Sequence, residues 1–283
     1  TTSMINFTKY TLGYFILSLA VIGVGIFSLF RGGLKLGIDF TGGSIVSYSR
    51  QSGFKKTDVE KILEKQNIKL VTYSQNSPQT ITLRTVSIDE KKEALLRKQL
   101  GANALKFDSV GPSLGKETMQ KTSIASIVAI LGILLYISFT FKKFNYGIAA
   151  ISALIHDILI LIGVYSVLTH FGAEFDALFV TALLTTMSFS VHDTIVVFDK
   201  IREYRRTSAL PIEDLANRAL TETMVRSLNN SLTIMLMLVP LTLMGGESLH
   251  YFAAALLIGT VTGTYSSPFI ATPLLVLLEK RRK

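Results

Sequence analysis

The 283-residue sequence contains no cysteine, no tryptophan and only 6 prolines, and charged residues make up 17% of it. Without cysteine there is no disulfide framework, no thiolate metal site and no cysteine nucleophile. Without tryptophan, any aromatic belt at a membrane interface falls to the 10 tyrosines and 17 phenylalanines. Soluble domains carry about 25% charged residues, so this chain is short of charge for a water-facing globule. At 49% hydrophobic it is also too apolar to be disordered. The chain is nevertheless basic, with 29 Lys and Arg against 20 Asp and Glu, a formal net charge of +9. Membrane proteins combine these traits because Lys and Arg collect in their cytoplasmic loops. A nucleic-acid binder would carry basic patches with interleaved aromatics on a soluble fold, and that pattern is absent, so nucleic acid is not expected as a partner.

A helix of about 20 apolar residues crosses a bilayer. Six windows meet this length: 10–30, 122–141, 146–168, 177–198, 228–244 and 251–278. The last carries Pro268 and Pro273, which predicts a tilt or kink. The first is too long for a signal-peptide core and lacks a small-residue cleavage site, so it reads as a retained anchor. Basic residues orient the set. Lys9, Lys142, Lys143, Lys200, Arg202, Arg205, Arg206, Arg218, Arg226, Lys280, Arg281, Arg282 and Lys283 all fall on one side. The two short loops opposite carry only Glu174, Asp176 and Glu247. The positive-inside rule then predicts a multi-pass protein of the plasma (inner) membrane with both termini cytoplasmic.

The segment 31–121 holds the other 16 basic residues and reads as an extracytoplasmic domain, since long outer domains translocate regardless of charge. Strands are expected over 44–49, 69–74, 80–86 and 105–110, and helices over 57–66 and 87–100. Thr57 with Glu60 forms a capping-box pattern. The resulting β-α-β-β-α-β order predicts a small α+β, ferredoxin-like module for binding a partner. The fold class is therefore a polytopic α-helical membrane protein with six transmembrane helices, the module lying between the first two. A cytoplasmic amphipathic helix is expected over 211–226, with Ile212, Leu215, Ala216, Ala219 and Leu220 on one face.

An ionisable residue inside a span is costly and marks a functional site by default. Asp157 lies mid-way along the third span and Asp193 in the inner half of the fourth, each preceded by a histidine, His156 and His192. Thr186, Ser190 and Asp193 are spaced to share a helix face. Thr260, Thr262, Thr264, Ser266 and Ser267 form a hydroxyl belt in the last span, and Gly259 and Gly263 allow close helix approach. Such a site suits proton transfer. The structural alternative is that each aspartate only bonds hydroxyls of a neighbouring helix. Ser190, His192 and Asp193 point in different directions and cannot form a hydrolase relay. The two His-Asp pairs lack the spacing of a metal site, so neither metal nor cofactor is expected. Arg226 is either a snorkelling anchor or a partner for a span-4 carboxylate.

Five blocks carry a resemblance to a known family. They are Leu36-Gly37-Ile38-Asp39-Phe40-Thr41-Gly42-Gly43-Ser44, Val110-Gly111-Pro112-Ser113-Leu114-Gly115, Ala153-Leu154-Ile155-His156-Asp157, the long run Ser190 to Glu203, and Gly263-Thr264-Tyr265-Ser266-Ser267 with Pro273-Leu274-Leu275. In this order they resemble the SecF family of protein-export subunits, within the resistance-nodulation-division superfamily. The resemblance implies six of twelve spans, with a SecD-like subunit supplying the rest. It implies partners in the SecYEG channel, a YidC-type insertase and the translocating polypeptide. It also implies no covalent chemistry, but use of the proton-motive force to draw polypeptide outward. The family's proton carrier and its coupled arginine fall on Asp193 and Arg226. Asp157 matches the family's His-Asp pair, and Gly37, Asp39, Gly42, Gly43, Asp199, Thr264, Ser266 and Ser267 stand in its motifs.

Two departures stand out. His192 replaces the usual Asn before the span-4 aspartate, and a second titratable group there would change the pH range of Asp193 or share its proton. Residues 140–144 lack the family's Arg and Glu, so no family role carries over to that loop. The competing readings are an exporter of lipids or small molecules from the same superfamily, and a structural subunit that conducts no protons. The sequence begins Thr1-Thr2-Ser3-Met4, which fits either a start at Met4 or a piece of a fused SecD–SecF polypeptide.

Overall fold

The computed structural model describes residues 7–32, 34–141 and 143–281. Met4, Lys142, Arg282 and Lys283 lie outside them, as do the side chains of Lys9 and Glu247. The chain divides into two compact units, Thr1–Lys35 with Ala125–Lys283, and Leu36–Ile124.

The smaller unit is a four-stranded antiparallel sheet backed by two helices. Its elements are β1 (Gly43–Ser49), α3 (Lys56–Lys65), β2 (Leu70–Ser77), β3 (Thr80–Thr85), α4 (Glu90–Leu100) and β4 (Asn103–Val110), after a single turn α2 (Ile38–Thr41). The strand order is β2-β3-β1-β4, with Gly43 opposite Val110 at one end of the β1–β4 pair. Alternation sorts the faces: Val46, Tyr48, Ile81 and Leu83 point inward onto Val59, Leu63, Leu96 and Leu100. Tyr48 is fully buried, its hydroxyl 3.3 Å from Glu93 Oε1. Burial, reinforced by that carboxylate, holds the phenol well above its ordinary titration range.

Helix α4 is capped by Asp89, which accepts from Lys92 N at 2.8 Å. The expected cap at Thr57 is not formed. Helix α3 begins one residue earlier, after Lys55, which makes no side-chain cap. Capping-box spacing does not set the start here because Val59 and Leu63, packed into the core, fix the helix from within.

The larger unit is helical. It contains α1 (Thr11–Gly32), α5 (Pro112–Thr140, shared across the unit boundary), α6 (Phe144–Leu168), α7 (Ala177–Thr207), α8 (Ile212–Met244) and α9 (Glu247–Ser266). A π turn (Ser267–Ala271) and α10 (Thr272–Lys280) complete the last helix. Among the described residues six helices are long and apolar enough to cross a membrane. The segments α6, α7 and α9–α10 form the buried centre, while α1, α5 and α8 turn apolar side chains such as Leu12, Phe139 and Met244 outward. An apolar surface of this extent suits lipid or a partner helix rather than water.

Three features differ from the sequence reading. The helix expected over 211–226 and the span over 228–244 are one continuous element, α8. No Gly or Pro interrupts residues 212–239, and Ala216, Ala219 and Leu220 pack into the bundle core instead of lying on a surface. The fourth span extends through the basic run to Thr207. The kink expected near Pro268 takes the form of the π turn, which accommodates a proline lacking an N–H.

Glycines set the closest helix crossings. A Cβ on Gly259 would lie 2.3 Å from Thr186 Cγ2, and one on Gly25 2.4 Å from Gly163 Cα. These small-residue contacts bring α9 onto α7 and α1 onto α6.

Candidate functional site

Asp157 on α6 is buried where α6, α7 and α9 meet. Its Oδ2 accepts from Ser190 Oγ at 2.5 Å and from Ser266 Oγ at 2.7 Å. Its Oδ1 lies 2.8 Å from Nδ1 of the adjacent His156. His156 Nε2 lies 3.3 Å from the hydroxyl of Tyr265, which in turn lies beside Ser18 of α1. Ser190 can approach because Gly263 clears the crossing: a Cβ there would stand 3.1 Å from Ser190 Cβ.

The chemistry of this line follows from donor counting. An ionised carboxylate only accepts, so His156 Nδ1 then carries a proton and Nε2 accepts from Tyr265. Two hydroxyls occupy Oδ2, which leaves Oδ1, the oxygen facing His156, as the place for an added proton. A proton on Oδ1 can pass to Nδ1 while Nε2 releases one toward Tyr265. The line Asp157–His156–Tyr265, with Ser18 beside Tyr265, thus brings groups with exchangeable protons together across three helices.

Asp193, one turn beyond Ser190 on α7, faces a different neighbour. It is buried, and Ser227 Oγ on α8 donates to its Oδ2. Asp193 and Ser227 line a cavity of about 260 Å³ together with His192, Thr223, Arg226 and Asn230. Among the described residues no ion pair within 4.0 Å joins Asp193 to Arg226, which is exposed. The carboxylate is therefore held by one hydroxyl beside a cation in an open space, not locked into a bridge. A second set of hydroxyl contacts flanks it: Thr194 with Ser267 at 2.9 Å and Ser231 with Thr264 at 2.6 Å.

Comparison with known proteins identifies the family. Residues 91–281 match the profile described as "Protein export membrane protein SecD/SecF, C-terminal", and residues 27–50 match the "SecD/SecF GG Motif". The chain belongs to the SecD/SecF protein-export family. It is 40% identical to the protein translocase subunit SecF of Thermobaculum terrenum, covering 98% of this chain and 95% of that one. It is 37% identical to SecF of Anaerolinea thermophila, over 98% and 94%. The crystal structure of SecDF, a translocon-associated membrane protein from Thermus thermophilus, superposes with a TM-score of 0.85 at 30% identity. That match covers 99% of this chain and 39% of SecDF. With six spanning-length helices, the chain is a multi-pass membrane protein of this SecD/SecF family.

The SecD/SecF motif residues fall into three groups. Gly42 and Gly43 take positive φ angles of 70° and 125° at the start of β1, where Gly42 touches the chain leaving β4. A Cβ on Gly42 would lie 2.8 Å from Pro112 Cα, and one on Gly115 2.6 Å from Gly42 N. Gly37 and Asp39 begin and build α2 just before them, and Arg84 ties this turn down at Leu36 O, 2.7 Å away. Asp199 is exposed on α7 and pairs with Arg202 at 3.0 Å. Ser266 binds Asp157 directly, while Ser267 and Thr264 bond hydroxyls of α7 and α8.

The expected polar stripe of α7 splits. Ser190 and Asp193 are three residues apart, about 60° round the helix, so Ser190 serves Asp157 while Asp193 meets α8. His192 is exposed and lines both the Asp193 cavity and a second cavity of about 350 Å³ between α5 and α7. It does not touch Asp157. Sequence reasoning weighed His156 as a metal ligand and placed it in the family's His-Asp pair without a role of its own, and it passed over Tyr265, Ser227 and Ser18. Tyr265 stands inside a quoted motif and Ser227 beside Arg226, so both had a signal; Ser18 had none beyond a hydroxyl in a span. Among the described residues no group of three or more His, Asp or Glu side chains could hold a metal.

Proposed function

We propose that the chain is an accessory subunit of the Sec protein translocase that works with a SecD-like partner and runs on the proton-motive force. The relatives named as translocase subunits support the accessory role. The SecD-like partner is supported by SecDF, of which this chain matches 39%, leaving room for a second half in one polypeptide. The observation that carries proton use is Asp193: a buried carboxylate on a spanning helix, open to a cavity shared with Arg226 and free of an ion pair. Such a group can gain and lose a proton as the cation nears or withdraws. Each charge moved through the membrane potential supplies about 2.3 kcal/mol per 100 mV.

In this reading the termini are cytoplasmic and the sheet unit is extracytoplasmic, in line with the basic-residue asymmetry. The strand order β2-β3-β1-β4 with two backing helices supports a ferredoxin-like module that grips emerging polypeptide. The channel partner is SecYEG, with a YidC-type insertase nearby, and no covalent chemistry takes place.

The test replaces Asp193 with Asn in membranes that retain SecYEG and the SecD-like subunit. Translocation is measured with and without a proton gradient. The expected result is that D193N loses the gradient-dependent part of translocation while subunit levels stay normal. Full gradient dependence in D193N overturns proton use and favours a structural subunit.

A further inference from the structure

A second polar cavity lies at the end of the bundle where α5 gives way to α6 and α7 runs into its basic segment. It measures about 410 Å³ and is lined by Phe141, Lys143, Tyr146, Arg202, Arg205 and Arg206. Two of the cations are already matched: Arg202 by Asp199 at 3.0 Å and Arg205 by Glu279. Lys143 and Arg206 make no ion pair within 4.0 Å among the described residues, and the nearby Glu279 is already taken by Arg205. The lining therefore keeps an excess of two positive charges.

Tyr146 gives an independent sign of a ligand. It is 1% exposed and packed edge-on against Phe198, and its hydroxyl lies beside the Arg205 guanidinium with no acceptor for its own proton. Buried hydroxyls are nearly always satisfied. Its charged neighbours in the cavity, Lys and Arg, are donors only, so the Tyr146 proton lacks an acceptor there. Helix α6 also starts at this cavity with no side-chain cap, leaving amide donors at its first turn. Apart from the Tyr146 oxygen, which can also accept, the polar side chains lining the space only donate, and four of them are positive. Phe139 and Phe144, close in sequence to the lining Phe141 and Lys143, are 86% and 77% exposed.

We propose that this cavity binds a phosphate group, with Lys143 and Arg206 supplying charge and Tyr146 a hydrogen bond, and that its source is the headgroup of an anionic phospholipid. An anionic oxygen ligand accepts from all of these donors, and guanidinium groups match phosphate geometry. The exposed Phe139 and Phe144, close in sequence to the lining, offer apolar surface for the acyl chains of such a lipid. Free inorganic phosphate shares the same chemistry and is separated by experiment. The site is distinct from the Asp193 cavity and does not depend on proton use.

The test uses the full chain in detergent and follows its thermal unfolding midpoint. The probes are short-chain phosphatidylglycerol, short-chain phosphatidylcholine and inorganic phosphate, each titrated separately. Phosphatidylglycerol should raise the midpoint saturably, with phosphatidylcholine much weaker. The double variant K143Q/R206Q should bind phosphatidylglycerol roughly tenfold or more weakly, and Y146F should weaken it without a change of charge. R218Q, which removes a guanidinium stacked on Tyr204 instead, should bind as the parent does. If inorganic phosphate alone reproduces the rise, the site stands and its source is the free ion. An equal rise with both lipids, or with the parent, K143Q/R206Q and Y146F alike, overturns the proposal. Should K143Q/R206Q unfold without lipid, Y146F and R206K carry the same comparison.

Discussion

Ser266 shows how much of the site hangs on single hydroxyls. It and Ser190 both donate to one oxygen of Asp157, and all three side chains are buried. Removing either leaves a buried acceptor half-satisfied, at a cost of about 1–3 kcal/mol. We therefore expect S266A and S190A each to lower the unfolding midpoint of the detergent-solubilised chain, and S266T to restore much of it. Unchanged midpoints in both alanine variants would mean that Asp157 does not depend on these donors. Asp157 was legible in the sequence because a carboxylate in an apolar run is conspicuous. Its donors were only partly so. A serine in a span looks alike whether it bonds its own helix, as Thr260 does to Leu256 O at 2.8 Å, or a carboxylate on another. The difference lies in helix rotation and crossing, which hydropathy does not record.

The α7–α9 crossing is the element on which the rest depends. Gly259 and Gly263 lie against Thr186 and Ser190, and this approach brings Ser190 of α7 and Ser266 of α9 onto the same oxygen of Asp157, Oδ2. A side chain at Gly259 must push α9 off α7. G259V should destabilise the bundle by about 1–3 kcal/mol, as overpacked cores do. A second change, T186A, should recover part of the loss, because it removes two of the three atoms a Cβ would strike and leaves only Thr186 Cβ. A double-mutant cycle on unfolding midpoints checks this, and strict additivity would place the clash elsewhere. Helix existence was readable from apolar length, and Gly259-x-x-x-Gly263 announced a close contact. Helix ends were less readable. α7 and α8 both run past their apolar windows, because charged side chains such as Lys200 and Glu222, paired at 2.8 Å, hold the extensions together. A pattern that looks only for greasiness stops where the charges start.

At the scale of the whole molecule, the absence of cysteine becomes an experimental advantage. Single cysteines can be placed without background, at exposed Gln51 in the sheet unit and at exposed Ala209 between α7 and α8. In intact spheroplasts a membrane-impermeant maleimide should label Q51C and spare A209C, and lysis should expose both. The reverse pattern would overturn the proposed orientation. The basic residues are the ground for this proposed orientation, which the labelling decides, whereas alternation made the order of strands and helices in the sheet unit readable. The roles of Gly42, Gly43 and Gly115 were not readable as contacts, since they lie some seventy residues apart and meet only through the pairing of β1 with β4.

That pairing has a mechanical consequence. The first and last strands of the sheet unit lie side by side, with Gly43 opposite Val110, so the chain arrives and departs at neighbouring points. A tension that drew those two points apart would load the β1–β4 ladder like a zipper, one rung at a time, the geometry in which a sheet yields most easily. The contact of Gly42 with Pro112 and Gly115 sits at the open end of that zipper. It acts as a rivet, so load must first shear a backbone-on-backbone contact before any rung can open.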